Sequence, residues 1–147
     1  MNFAEYSGLE IMQAMVSGKY PRPSIADTIP MVFKDAQSGY MKFLAKADDR
    51  HLNVMGGVHG GFAATVLDSV TGCAVHTMLE AGVGYGTVDL NIKMLRPIPL
   101  NTELLAEARV LHISKNIGVA EGGIKNLEGV LLAHATATCV LIRKPVA

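Results

Sequence analysis

In the run His51-Leu52-Asn53-Val54-Met55-Gly56-Gly57-Val58-His59-Gly60-Gly61, four glycines, one amide and two imidazoles stand directly before a long apolar segment. Glycine leaves the backbone conformationally free and its N–H uncovered. At a helix start those N–H groups lack an intrahelical acceptor. With the positive end of the helix dipole, they suit an anionic or polarised oxygen. The run predicts either an oxyanion site or a tight loop joining strand to helix, and spacing does not choose between them. No Lys-Ser or Lys-Thr follows the glycines, so a phosphate-binding loop is excluded.

Seven residues past Gly61 comes Asp68, the one acid between Arg50 and Leu79. On a segment otherwise suited to burial, a carboxylate needs a partner or a purpose. Helical spacing puts it on a stripe with Gly61, Ala64, Thr65, Thr71, Gly72 and His76. That stripe is either a solvated side or, being small and nearly uncharged, a subunit contact that contains a site. His51, His59, His76, His112 and His134 show neither HxxxH nor Cys/His ligand spacing, which predicts no metal. His59 either bonds a substrate carbonyl or caps the helix. No serine has a GxSxG setting, and Gly82-Val-Gly-Tyr-Gly86 reads as a loop.

The elements that must position these groups follow from periodicity. Leu9, Ile11, Met12, Met15 and Val16, behind Ser7 as a cap, predict a short helix over about 8–18 that Gly18 stops. Pro21, Pro23 and Pro30 make 19–29 a tether. Met31–Lys34 and Tyr40–Ala47 form a hairpin about a turn at Asp35–Gly39. Phe62, Val66, Val70, Cys73 and Thr77 mark a long helix within Val58–Leu79, apolar nearly all round and so wrapped by something else. Gly82, Gly84 and Gly86 end it. Val88, Leu90, Ile92 and Met94 then alternate with Thr87, Asp89, Asn91 and Lys93 in a half-buried strand, and three more strands run over about 102–114, 117–125 and 130–142. Ala133, Ala135, Ala137 and Cys139 give the last strand a small-residue face that a helix can approach. The class is α+β, with an antiparallel sheet curled round a central helix.

The chain of 147 residues suits one domain. Thirteen basic residues balance thirteen acidic ones without a like-charge run, which argues against a nucleic-acid partner. The longest apolar stretch, Val130–Ile142, is too short to span a bilayer, and Met1–Glu10 lacks the basic region of a secretory signal. A cytoplasmic protein without a membrane anchor is expected. Cys73 and Cys139, in apolar surroundings, are expected to be reduced and buried.

The motif Asn53-Val-Met-Gly-Gly-Val-His59-Gly60-Gly61 with Asp68 on the next helix, followed by Thr87-Val-Asp-Leu-Asn-Ile-Lys-Met-Leu-Arg96-Pro97, resembles the PaaI-like acyl-CoA thioesterases of the hotdog-fold superfamily. The likeness runs from about His51 to Pro145. It implies a hotdog domain over 31–145, preceded by the helix and tether of 1–30, and a homodimer assembled into a tetramer. It implies hydrolysis of a small or medium acyl- or aryl-CoA thioester without metal or cofactor. In that reading the Gly60 N–H polarises the thioester carbonyl, Gly61 adjoins the substrate, and Asn53 and His59 orient it. Asp68 of the other subunit acts as base or nucleophile, and the Thr87 hydroxyl helps hold the water. Arg96, Lys115, Lys125, Arg143 and Lys144 stand near strand ends as cations for the CoA phosphates, unassigned among themselves. Eight methionines suit an adaptable acyl tunnel or ordinary core filling. A non-catalytic acyl-CoA binder or scaffold on the same fold is the competing class.

Overall fold

The computed structural model describes residues 1–143. Lys144 and the expected end of the core at Pro145 lie outside the described residues. In chain order the elements are α1 (Gly8–Val16), α2 (Ile25–Thr28), β1 (Met31–Gln37), β2 (Tyr40–Lys46), a 3-10 turn (Asp49–His51), α3 (Gly60–His76), β3 (Gly84–Met94), β4 (Glu103–Ile113), β5 (Ile117–Asn126) and β6 (Leu131–Ile142). The six strands form one antiparallel sheet in the order β1-β2-β4-β5-β6-β3. α3 packs against β2, β3, β4, β5 and β6, so the sheet curls around it as the apolar circumference of the helix requires.

Ser7 caps α1 as expected. Its Oγ accepts from the Glu10 N–H at 3.3 Å while Glu10 accepts from the Ser7 N–H at 2.8 Å, a reciprocal box that satisfies two orphan donors. Behind α1, Phe33 and Phe43 stack with ring centroids 4.2 Å apart at the centre of the main core. The small face of β6 is buried throughout, at Ala133, Ala135, Ala137 and Cys139. A second small row, on β5, escaped the sequence reading. A Cβ on Gly118 would come within 2.6 Å of Val75 Cγ1, so helix and sheet meet there at backbone distance.

Several boundaries differ from expectation. β1 runs on to Gln37 through a bulge between Phe33 and Asp35, and the turn narrows to Ser38-Gly39, because the polar residues of an edge strand face water rather than marking a loop. The long helix is shorter than 58–79. It begins at Gly60 with His59 as cap and ends at His76 with Thr77 as its C-cap, well before Gly82. Gly84 and Gly86, expected as loop, are paired with Ile142 and Val140 at the start of β3. A bulge between Thr87 and Asp89 also breaks the expected alternation: Val88 is 64% exposed, while Leu90 and Ile92 pack on the core.

The first turn of α1 lies against the last turn of α3. The Gly8 N–H donates to Leu79 O at 3.0 Å, and a Cβ on Gly8 would fall 1.7 Å from His76 O. A backbone oxygen cannot rotate aside as a side chain can. Gly8→Ala is therefore expected to cost about 1–3 kcal/mol through overpacking, read as a lower melting temperature in a thermal scan. An unchanged melting temperature would mean that α1 is displaced at no cost.

Candidate active site

The loop before α3 is built on its own polar groups. Asn53 Oδ1 accepts from the N–H groups of Met55 at 2.9 Å and Gly57 at 3.2 Å, and Asn53 N–H donates to Gly57 O at 2.7 Å. Gly56, at φ +83°, makes the tight reversal this requires. Leu52 and Val58 bridge across the loop, lifting Val54 and Met55 into solvent at its tip. His51 is a brace. Its Nδ1 accepts from the Asp48 N–H at 2.9 Å, which leaves Nε2 to donate to Thr28 O at 2.7 Å, and the ring is buried.

His59 caps α3, its Nδ1 accepting from the Gly61 N–H at 2.8 Å. A ring that accepts at Nδ1 carries its neutral-form proton on Nε2, which points away from the cap as a donor. The Gly61 N–H, expected beside the substrate, is thus already engaged. The Gly60 N–H makes no hydrogen bond among the described residues, and it stands exposed at the positive end of a helix of 17 residues.

Beside Gly60 opens a cleft of about 400 Å³ between Val58 and the stretch Met94–Ile98, with Arg96 in its wall. The Arg96 guanidinium has no acidic partner among the described residues. Of the other cations considered, Arg143 donates to Lys115 O at 3.3 Å and lies 3.8 Å from Glu80, and Lys125 lines a separate hollow on the outer face of the sheet.

Asp68 is exposed on the subunit surface, not buried as its setting in the sequence suggested, and its carboxylate makes no hydrogen bond or ion pair among the described residues. The stripe that carries it divides in two. Gly61, Ala64, Thr65 and Asp68 reach the surface, whereas Thr71, Gly72 and His76 are buried, Thr71 Oγ1 donating to Leu67 O at 2.7 Å. The second half faces the chain's own sheet because β3 and β5 close over it. Thr87 shares the Asp68 neighbourhood through Cys139. Its Oγ1 lies 3.9 Å from Cys139 Sγ, and the pKa of that thiol is raised by burial and further by the Asp68 charge. Burial likewise pushes the Cys73 thiol up to about 12, with Asp68 adding to the rise. Both cysteines are unpaired and buried.

The expected site residues therefore fall into two groups. Asn53, His59 and Gly60 gather at the head of α3, whereas Asp68 lies farther along the helix and Thr87 stands on β3 beside Cys139. Eight residues separate Gly60 from Asp68, which at 1.5 Å each is roughly 12 Å along the axis. No group of three His, Cys, Asp or Glu among the described residues is arranged to hold a metal ion, and no described helix is long and apolar enough to cross a membrane.

A six-stranded antiparallel sheet curled round one helix is the architecture of a hotdog domain. The chain belongs to the thioesterase superfamily, whose sequence model matches residues 55–133. A phenylacetic-acid-degradation-related protein of Ralstonia eutropha superposes with a TM-score of 0.80 at 32% identity, over 88% of this chain and 98% of that one. Acyl-coenzyme A thioesterase 13 of Mus musculus is 31% identical over 94 residues. A Halobacterium salinarum relative that carries an esterase name is 37% identical over 93 residues. The matched stretch spans 66% of the mouse protein and 60% of the halobacterial one. The hotdog fold and the PaaI-like resemblance are upheld by these likenesses.

Proposed function

We propose that the protein hydrolyses acyl-CoA thioesters to a free acid and CoA, at sites shared between two copies of the chain. The observation that carries this is the uncommitted Gly60 N–H at the head of α3, with Asp68 roughly 12 Å down the same helix. A thioester carbonyl must lie about 3 Å from its oxyanion donor and within hydrogen-bond reach of the base that activates water. One chain cannot offer both groups to one carbonyl. A two-fold axis beside α3 can, because it brings Gly60 of one protomer to Asp68 of its partner and makes two such sites at once.

The surface supports that pairing. β3 is an edge strand with its outer side unpaired, and Val88 and Met94 on it, with Val54 and Met55 on the loop, expose apolar surface. Residues 1–147 act as one domain, in a dimer that assembles further into a tetramer. The two buried thiols suit a reducing cytoplasm.

The placement of these groups supports the following steps. The cleft beside Gly60 takes the thioester, and Arg96 in its wall offers a cation to the anionic end of CoA. The Gly60 N–H donates to the carbonyl oxygen, with the helix dipole behind it. The His59 Nε2–H and the free amide N–H groups of Asn53 hold the thioester in register. Asp68 takes a proton from water, whose oxygen attacks the carbonyl carbon, and returns that proton to the departing sulfur or to solvent. Alternatively it attacks that carbon itself, and the mixed anhydride left when CoA departs is hydrolysed by water to the free acid and Asp68. The tetrahedral oxyanion rests on Gly60, and one such donor is worth about 2.7–4 kcal/mol. Collapse breaks the C–S bond and releases CoA as a thiolate, a far weaker base than an alkoxide, which leaves without strong acid assistance. Thr87 Oγ1 anchors the water.

Free thiol released from a panel of acyl-CoAs by the purified protein tests this reading. Hydrolysis is expected, at a rate that EDTA leaves unchanged, since every group invoked is organic. Absence of thiol release from every acyl-CoA would favour the non-catalytic binder. Loss of activity on chelation with recovery on added zinc would overturn the mechanism.

A further inference from the structure

A second cavity lies under α1, and nothing in the mechanism above uses it. It holds about 420 Å³, bounded outside by Phe3, Met12 and Met15 and inside by Phe33, His76 and Tyr85. The residues lining it include no Lys, Arg, Asp or Glu. The His76 ring stands between Phe3 and Tyr85, with centroids 5.6 and 5.5 Å away, and burial lowers its pKa, so it is neutral at pH 7.

The inner wall reaches towards Asp68. A Cβ on Gly72 would meet Tyr85 Cε2 at 2.7 Å and its hydroxyl at 2.9 Å, so the phenol end of Tyr85 presses on α3 one turn from Asp68, roughly 6 Å along the axis. Cys73, which also lines the cavity, is close enough for its thiol to feel the Asp68 charge.

We propose that this cavity receives the acyl group of the thioester, that α1 is its outer wall, and that it selects bulky uncharged acyl groups while rejecting those ending in a carboxylate. The inference rests on the thioesterase reading above. Size sets the lower bound. An apolar cavity of about 150 Å³ holds one benzene, so a space near three times larger is poorly filled by acetyl and suits a substituted ring or a medium-length chain. Chemistry sets the exclusion, since a carboxylate driven against the inner wall of Phe33, Cys73, Tyr85 and the neutral His76 would meet no cation, the one formal charge among the lining residues being the ammonium of the exposed Met1. Apolar rings with soft methionines fit a variable hydrocarbon shape. The outer wall is held where Gly8 meets His76 and where Ile11 and Met12 pack into the core against β1, so the room left under α1 depends on which side chains it carries.

Met15, half-buried on that wall, is the position to change in both directions. kcat/KM is measured for butanoyl-, octanoyl-, dodecanoyl-, hexanoyl- and adipyl-CoA with parent, Met15→Trp and Met15→Ala, and folding is checked by circular dichroism. Met15→Trp is expected to lower the octanoyl-to-butanoyl ratio by at least about 10-fold, the scale of a single methylene in an apolar pocket, and Met15→Ala to raise the dodecanoyl-to-octanoyl ratio. The parent is expected to favour hexanoyl- over adipyl-CoA by at least about 100-fold, as an unpaired buried carboxylate demands. If Met15→Trp fails to fold, the alanine variant and the adipyl comparison decide the matter alone. Ratios that stay within twofold in the folded variants, or adipyl-CoA cleaved as fast as hexanoyl-CoA, overturn the acyl pocket while leaving hydrolysis intact. A parent that releases no thiol from any of them overturns the thioesterase reading itself.

Discussion

Asp68→Asn is expected to lower turnover by about 10²–10⁴-fold with substrate binding largely kept. Asparagine keeps the shape and loses the lone pair that takes a proton from water. The experiment is clean because the Asp68 carboxylate is exposed and makes no hydrogen bond or ion pair among the described residues. Surface changes of that kind move the stability of a subunit by about 0.5 kcal/mol or less, so with the dimer shown intact by gel filtration a large fall reports on chemistry and not on folding. Initial rates give kcat and KM, and a non-hydrolysable CoA thioether gives binding. A variant within a few-fold of the parent would place the base elsewhere, with His59 as the next candidate.

The second expected result is recovery of activity from two dead variants. Gly60→Pro removes the proposed oxyanion donor at the first position of a helix, where proline is otherwise tolerated. Its neighbour is already suited to it: His59 sits at φ −64° and ψ 139°, in the extended region that a residue before proline prefers. A Cβ at position 60 would press on Met94 Cε at 3.3 Å, the mobile end of a flexible side chain. Gly60→Pro and Asp68→Asn homodimers are each expected to be nearly inactive. In a mixed dimer one site collects both lesions and the other has neither. Random pairing makes about half the dimers mixed, each with one intact site of two, so about a quarter of parental activity is expected after co-refolding an equal mixture. If subunits exchange and the mixture stays dead, the site lies within one chain and the partner's carboxylate has no part in it.

What the sequence disclosed depends on how local the governing physics is. The cap at Ser7, the period of α3 and the alanine face of β6 each rest on neighbours within a turn or a strand, and all three stand in the fold. The glycine-rich motif was legible as a helix head for the same reason. The extent of β3 was not, because Gly84 and Gly86 look like loop residues until β6, more than fifty positions later, supplies their partners. The stripe around Asp68 was misjudged for a related reason: helical spacing says which residues share a face, but only the path of β3 and β5 says which half of that face they cover. The cap formed by His59 was foreseen as one of two roles, and the bond to Gly61 at 2.8 Å favours it. The cavity under α1 had no local signature. It arises where residues 3–15 meet residues 73–85, two stretches whose encounter no periodicity encodes.

The position of β3 at the far edge of the sheet also orders events at the ribosome. β1 and β2 can pair with each other as soon as they emerge, but β3 has one partner, β6, the last strand in the chain order. Some 48 residues separate Met94 from Ile142, and at about 5–20 residues per second that is a wait of roughly 2–10 s. Through that interval β3 carries two unpaired edges, and the chain is then at its most prone to mispairing with its neighbours. Thr87 reaches its place beside Cys139 only when the wait is over. A nascent chain stalled between these strands would hold the helix head and its glycines without β6 and the Cys139 that stands beside Thr87, so maturation of the site is coupled to near-completion of synthesis.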